Sequence, residues 1–161
     1  MAKAAKPVPN GYHTITPQLT LDNAAQTMDW YKKALGAEEV SRSVGPDGKI
    51  MHAELKIGDS IIMLGGEQAE KGCSSPQKLG GTPVSLYLYV EDVDKAFNRA
   101  ASAGVTVIMP VADMFWGDRC GQFVDPFGHR WSLATHKEDL SQEEMQKRGK
   151  AFFAEMAKKS A

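Results

Sequence analysis

Leu19–Val40 reads LTLDNAAQTMDWYKKALGAEEV, and Leu88–Val107 reads LYVEDVDKAFNRAASAGVTV. The second segment echoes the first at an offset of 69 positions: Leu19 aligns with Leu88, Leu21 with Val90, Ala24 with Val93, Met28 with Phe97 and Tyr31 with Ala100. Each copy opens with alternating apolar residues, the period of a strand. Each then passes a residue suited to a helix N-cap, Asp22 or Asn23 in the first and Glu91 or Asp92 in the second. The apolar positions beyond the cap (24, 28, 31 and 93, 97, 100) step by four and three, so they share one stripe of a helix. Gly36 and Gly104 stand where those helices should stop.

The segments beyond each helix also match. After the first come EEVSRSV, the turn GPDG, KIMHAELKIG and SIIMLGG. After the second come VTVIMPV, a longer loop, DRCGQFV, the turn DPFG and HRWSLAT. Each half therefore reads β-α-β-β-β, and two such copies in tandem predict an α+β fold. The expected parts are an N-terminal arm (1–12), a first module (13–66), a Gly/Pro/Ser-rich linker (67–82), a second module (83–139) and a C-terminal helix (140–161). In the turn at Asp125–Gly128, Pro sets the second position and Gly the last. Asp125 is accordingly read as a turn-forming side chain, with His129 bracing the same turn.

The chain has 161 residues, 42% apolar and 24% charged, with a net charge of −1. Those values fit one globular domain, or two small modules sharing a core. The scattered Lys and Arg residues form no basic stripe, so no nucleic-acid partner is expected, and no apolar run approaches a membrane span. The first residues carry no apolar leader segment, which predicts a cytoplasmic protein with Cys73 and Cys120 reduced. Cys120, on a predicted strand, reads first as a small buried hydrophobe and second as a nucleophile.

Strand alternation assigns faces. Ile15, Pro17, Leu19 and Leu21 oppose Thr16, Gln18 and Thr20. Met51, Ala53, Leu55 and Ile57 oppose His52, Glu54 and Lys56. Val84, Leu86, Leu88 and Val90 oppose Ser85, Tyr87 and Tyr89, and Trp131 and Leu133 oppose Arg130, Ser132 and Ala134. A curved mixed sheet with helices outside would leave the semi-polar faces lining a cup. The expected ligand-binding residues are Thr16, Gln18, Ser85, Tyr87, Tyr89, Trp116, Arg119 and Ser132, with Met63 beside them. Solvated faces with no ligand are the plainer alternative.

The doubled unit, with LDNAAQTMDWYKKALGAEEV, MHAELKIGDSIIML and FVDPFGHRWSLATH, resembles the vicinal oxygen chelate superfamily. That group holds glyoxalase I, bleomycin-resistance proteins, fosfomycin-resistance enzymes and extradiol dioxygenases. The resemblance covers about Thr14 to Asp139 and is nearest to a glyoxalase-like branch whose members end in DPFGHxWxxATHxED, the pattern that Asp125–Asp139 fits here as DPFGHRWSLATHKED. It implies paired modules around a cup, often completed as a homodimer. Metal-dependent members place ligands on the first and last strands of each module. Carried over by motif, those positions are Thr16, Met63, Ser85 and Ser132, none a good ligand for a divalent transition metal. The expectation is therefore no cofactor.

That resemblance implies two functions. One is metal-free binding of a small aromatic or amphipathic molecule, with Tyr87, Tyr89 and Trp116 stacking. The other is a lyase or isomerase of the glyoxalase I type on a hemithioacetal or related vicinal-dioxygen substrate. The second needs either a nickel, zinc, manganese or iron ion from another ligand set, or His52 with Glu54 as catalytic base. A scaffold with a vestigial cup is a third reading. His52 and Glu54 are alternatively a cross-strand polar cluster. Trp116 is placed to cover the cup, and Arg119 either clamps a ligand anion or pairs with Asp118 or Asp125. In the tail, Ser141 and Glu144 form a capping box, and Met145, Phe152 and Met156 form an apolar stripe that should dock on the body or on a partner.

Overall fold

The computed structural model describes residues 6–159, so the first five residues of the arm and the last two of the tail lie outside it. The described chain divides into two units. Unit 1 holds the chain through Pro83 together with the turn Pro126–His129, and unit 2 holds the rest. Each is built on an open four-stranded mixed sheet with a helix on one face, an α+β fold.

In unit 1, β1 (Gln18–Leu21) leads into α1 (Ala24–Leu35), then β2 (Glu38–Val44), β3 (Ile50–Ile57) and β4 (Ser60–Gly66). The strand order is β1-β4-β3-β2, with β1 parallel to β4 and the remaining pairs antiparallel. Asn23 caps α1, its side chain accepting from the Gln26 N–H at 3.1 Å, and Gly36 ends it in the left-handed region. The predicted stripe is the buried one: Met28 and Tyr31 are fully buried, on a helix packed against a sheet whose Ala53, Leu55 and Leu64 are fully buried too. Phe127, from the turn counted in this unit, packs edge-on against Trp30 and Tyr31.

Unit 2 repeats the plan. The interposed stretch, still counted in unit 1, holds a one-turn helix, α2 (Pro76–Leu79); unit 2 itself runs β5 (Ser85–Tyr89), α3 (Val93–Ser102), β6 (Thr106–Asp113), β7 (Asp118–Val124) and β8 (Arg130–His136). The strand order is β5-β8-β7-β6. Asp92 caps α3 by accepting from the Lys95 N–H at 3.0 Å. Val93, Phe97 and Ala100 are buried, as their spacing predicted. The interposed stretch also holds a 3-10 turn (Ala69–Lys71). It is fastened by Glu67, whose Oε1 accepts from the Ser75 N–H and hydroxyl at 2.8 and 2.6 Å. α4 (Gln142–Lys159) closes the described chain, and Phe115 stacks on its Phe152 and Phe153.

Several local expectations are corrected. β1 starts at Gln18, so Ile15 is not a core residue and is 84% exposed. Met51, expected on the helix-facing side of β3, is half exposed, while Ile50 is buried. The cause is a bulge. Ser43 pairs with His52 and Val44 with Ile50, which leaves Met51 as an extra residue and flips the alternation beyond it. β6 carries similar shifts near Pro110, which has no N–H for the ladder. Asp125 is buried and accepts from Trp131 Nε1 at 3.0 Å, and a ring nitrogen of His129 lies 3.2 Å from the Thr20 carbonyl oxygen. Both side chains thus tie the turn to strands as well as shaping it. Of the capping box at Ser141, half forms: the Glu144 N–H donates to Ser141, but the Glu144 carboxylate accepts from Arg148.

Candidate functional site

Register places Gln18, Met63, His52 and Glu54 of unit 1, and Tyr87, Tyr89 and Ser132 of unit 2, in rows on the sheet face opposite each helix. In unit 1, Gln18 pairs with Met63, Met63 with Glu54, and Glu54 with Ser41. The next row runs Thr20, Gly65, His52, Ser43. His52 Nε2 lies 3.3 Å from Glu54 Oε1, so the sequence pairing of these two residues exists in the fold. Glu54 Oε2 accepts from the Ser41 hydroxyl at 3.0 Å, and the Tyr12 hydroxyl donates to the same carboxylate. The hydrogen bond from Tyr12 is the main influence holding the Glu54 carboxyl below its usual pKa. Tyr12, assigned to the loose arm, is thereby anchored to the sheet. Thr16 precedes β1 and its hydroxyl donates to the His13 carbonyl at 3.4 Å, so it lies outside the rows.

Unit 2 has the denser arrangement. Tyr87, Ser132, Gln122 and Met109 form one row, and Tyr89, Ala134, Cys120 and Ala112 the next. Asp118 pairs with His136 beyond them. The Tyr87 and Tyr89 hydroxyls donate to Asp118 Oδ2 at 3.0 and 3.1 Å, and Trp116 Nε1 donates to the same oxygen at 3.2 Å. His136 Nδ1 meets Asp118 Oδ1 at 2.8 Å, and its Nε2 meets Asp139 at 2.9 Å. Asp118 is only 4% exposed. Burial pushes its pKa up, but the four donors together outweigh burial and hold it below the usual aspartate value. The same carboxylate raises the pKa of His136. Burial, with Cys120 and Asp118 as neighbours, raises the Tyr87 pKa, so its hydroxyl stays a donor.

Asp118 as a hub and His136 as its partner are the residues that sequence reading missed. The signal was present. Alternation carried through DRCGQFV puts Asp118, Cys120 and Gln122 on the tyrosine face, and two steps past Ala134 on β8 reach His136. Trp116 is drawn down onto Asp118 as well as standing beside the tyrosines. Arg119 departs from both expectations: its guanidinium is bidentate on Asp94 at 2.8 Å and reaches Asp113 at 3.2 Å, so it pairs with neither Asp118 nor Asp125 and is not free to clamp an anion. Cys120 is fully buried and burial raises its thiol pKa, which favours the small-hydrophobe reading over a nucleophile.

The positions that metal-dependent relatives use do not fit a metal here. Ser85 and Ser132 offer neutral hydroxyls that lie 3.4 Å from each other, Met63 offers a thioether, and Thr16 is spent on a carbonyl. Nickel, zinc, manganese and iron require imidazole, carboxylate or thiolate donors at such places. Two cavities lie away from the rows. One, of about 610 Å³, sits by the start of α1, and one of about 600 Å³ sits between Phe115 and α4.

Residues 12–133 match the model of the Glyoxalase/Bleomycin resistance protein/Dioxygenase superfamily. An uncharacterized protein of Mycobacterium bovis is 44% identical over 136 residues, spanning 82% of this chain and 89% of its own. Among solved structures, TioX from Micromonospora sp. ML1 superposes with a TM-score of 0.63 at 28% identity, covering 77% of this chain and 98% of that one. FosX, a fosfomycin resistance protein of Listeria monocytogenes, superposes with a TM-score of 0.58 at 20% identity, covering 83% and 94%, and shares the fold. With its doubled module, its two four-stranded sheets and a match over most of its length, the chain belongs to the glyoxalase/bleomycin resistance/dioxygenase superfamily.

Proposed function

We propose that this protein binds a small aromatic or amphipathic molecule without a metal, on the semi-polar sheet faces, and works as a cytoplasmic homodimer. The observation that carries the reading is the buried Asp118 hub. Its hydrogen bonds hold Tyr87, Tyr89 and Trp116 in place, while the two tyrosines stay 45% and 59% exposed. Exposed aromatic rings whose rotation is already arrested make a stacking surface at small entropic cost. Gln122 and Ser132 add polar groups on the tyrosine face, as Gln18 and His52 do on the face of unit 1. The test is a panel of aromatic metabolites and antibiotics screened by thermal shift and calorimetry. Binders that Tyr87→Ala or Tyr89→Ala weaken at least about tenfold support it, and a panel with none overturns it.

A second reading, a metal-independent lyase or isomerase of the glyoxalase type, is favoured by the imidazole–carboxylate contact at His52 and Glu54. Glu54 would hold the His52 ring while its free nitrogen takes a proton from a carbon beside a carbonyl. Turnover of a hemithioacetal that both His52→Ala and Glu54→Ala abolish would establish it, and turnover that survives both would remove it.

A further inference from the structure

The tyrosine face of unit 2 spends its hydrogen-bond donors inward. Tyr87, Tyr89 and Trp116 all donate to one oxygen of Asp118. The outward remainder is ring surface. The two tyrosine rings lie 5.1 Å apart with 50° between their planes, so they form a notch rather than a flat plate. The face of an aromatic ring is the negative pole of its quadrupole. At the hydroxyl ends of the two rings sits the charge of Asp118, whose hydrogen-bond partners among the described residues include no lysine or arginine. Arg119, next in sequence, is committed to Asp94 and Asp113.

We infer that the notch takes an organic cation that carries no N–H groups, such as a quaternary ammonium or an N-alkylated aromatic ring, stacked on Tyr87, Tyr89 and Trp116 beside the Asp118 charge. This rests on reading the face as a ligand site and names the ligand's class. The distinction between cations comes from burial. Asp118 is nearly closed off and already accepts four donors, so a primary ammonium would shed its water and find no strong acceptor. A weakly hydrated, delocalised cation loses little water and gains attraction from the ring faces. Of the groups bonded to Asp118, His136 is the one that changes the local charge near neutral pH. Asp139, Cys120 and the two tyrosines are the other titratable groups around the hub. Protonating His136 adds a positive charge beside the notch and works against a cationic ligand.

The test is calorimetry on the full chain at about pH 8, where the folded histidine carries less charge than at neutral pH. Three probes share one ring system: N-methylquinolinium, neutral quinoline and quinoline-2-carboxylate. The expected order places the cation about tenfold tighter than quinoline, with the carboxylate weakest. The cation preference should fall to about onefold in Asp118→Asn, and in Tyr89→Leu, which removes an exposed ring and leaves the core intact. Equal binding of cation and quinoline, or tighter binding of the carboxylate, overturns this inference and leaves the ligand face standing. Absence of binding by all three overturns the inference and the ligand-face reading together. A cation preference that neither variant alters places the cation elsewhere and also overturns it.

Discussion

Asp118 stays charged at 4% exposure because four donors replace the water it gave up. Removing the acceptor strands those donors. Asp118→Ala is therefore expected to cost about 2–4 kcal/mol in urea unfolding, and Tyr87→Phe about 1 kcal/mol, since Tyr87 is half exposed and loses one bond. The hub also sets a pH dependence. His136 binds its proton more tightly folded than unfolded, because Asp118 and then Asp139 hydrogen-bond to it. The charge-assisted part of its stabilisation is complete below the unfolded pKa of about 6.5 and is lost as pH rises through the higher folded value. The folded pKa of Asp118 is depressed, so its contribution is present above the unfolded value and is lost as pH falls through the folded one. The Tm gap between the natural protein and His136→Asn should accordingly be wider at about pH 5.5 than at about pH 8.5. An equal gap at both would show that the pair carries no ionic component. None of this was legible from single residues, because a lone Asp after Trp-Gly and a lone His at a strand end look like ordinary surface groups. Only their register across β7 and β8 joins them.

At the scale of elements, the sequence carries the helices better than the strands. Caps, stripes and stop glycines are local, so α1 and α3 emerge where spacing places them. Strand faces depend on an unbroken period of two, and one extra residue inverts them, as Met51 does in β3. The segment from Met114 to Asp118 is where element and site meet. Gly117 lies at φ +98°, and its carbonyl accepts from the Lys137 and Glu138 N–H groups at 2.9 and 3.1 Å. A Cβ there would collide with the Glu138 backbone carbonyl, which cannot swing aside. Gly117→Ala should cost about 3 kcal/mol or more and should weaken ligand binding as well, because the same turn seats Trp116 and Asp118. Gly121→Ala separates the two effects. Its Cβ would stand 2.6 Å from Phe97 and 2.9 Å from Val111, so it overpacks the helix side of the sheet. A loss of about 1–3 kcal/mol in stability with binding retained is expected.

Across the whole molecule, a repeat can be read from sequence because it is written twice, and agreement between copies cancels local noise. Function has no such second copy. Of the positions carried over from the family, Thr16 falls outside the rows and Ser85 and Ser132 turn toward one another, while the residue that organises the aromatic face, Asp118, is not among the positions carried over. The lack of suitable donors at Thr16, Met63, Ser85 and Ser132 has a measurable consequence. A resident divalent ion stabilises the folded state in proportion to its affinity, so stripping it lowers Tm. If the family's metal positions are as poor in donors as their chemistry implies, dialysis against a chelator should leave Tm and ligand affinity unchanged. Dialysis into nickel, zinc, manganese or iron(II) should then leave well under one ion per chain by elemental mass spectrometry. Zinc binding at exposed His13 or Cys73 is separable, because it should vanish in His13→Ala or Cys73→Ser without altering the tyrosine face. About one ion per chain that survives those variants, with a Tm that falls on chelation, would move the weight to the lyase reading and point to a ligand set built around His52 and Glu54.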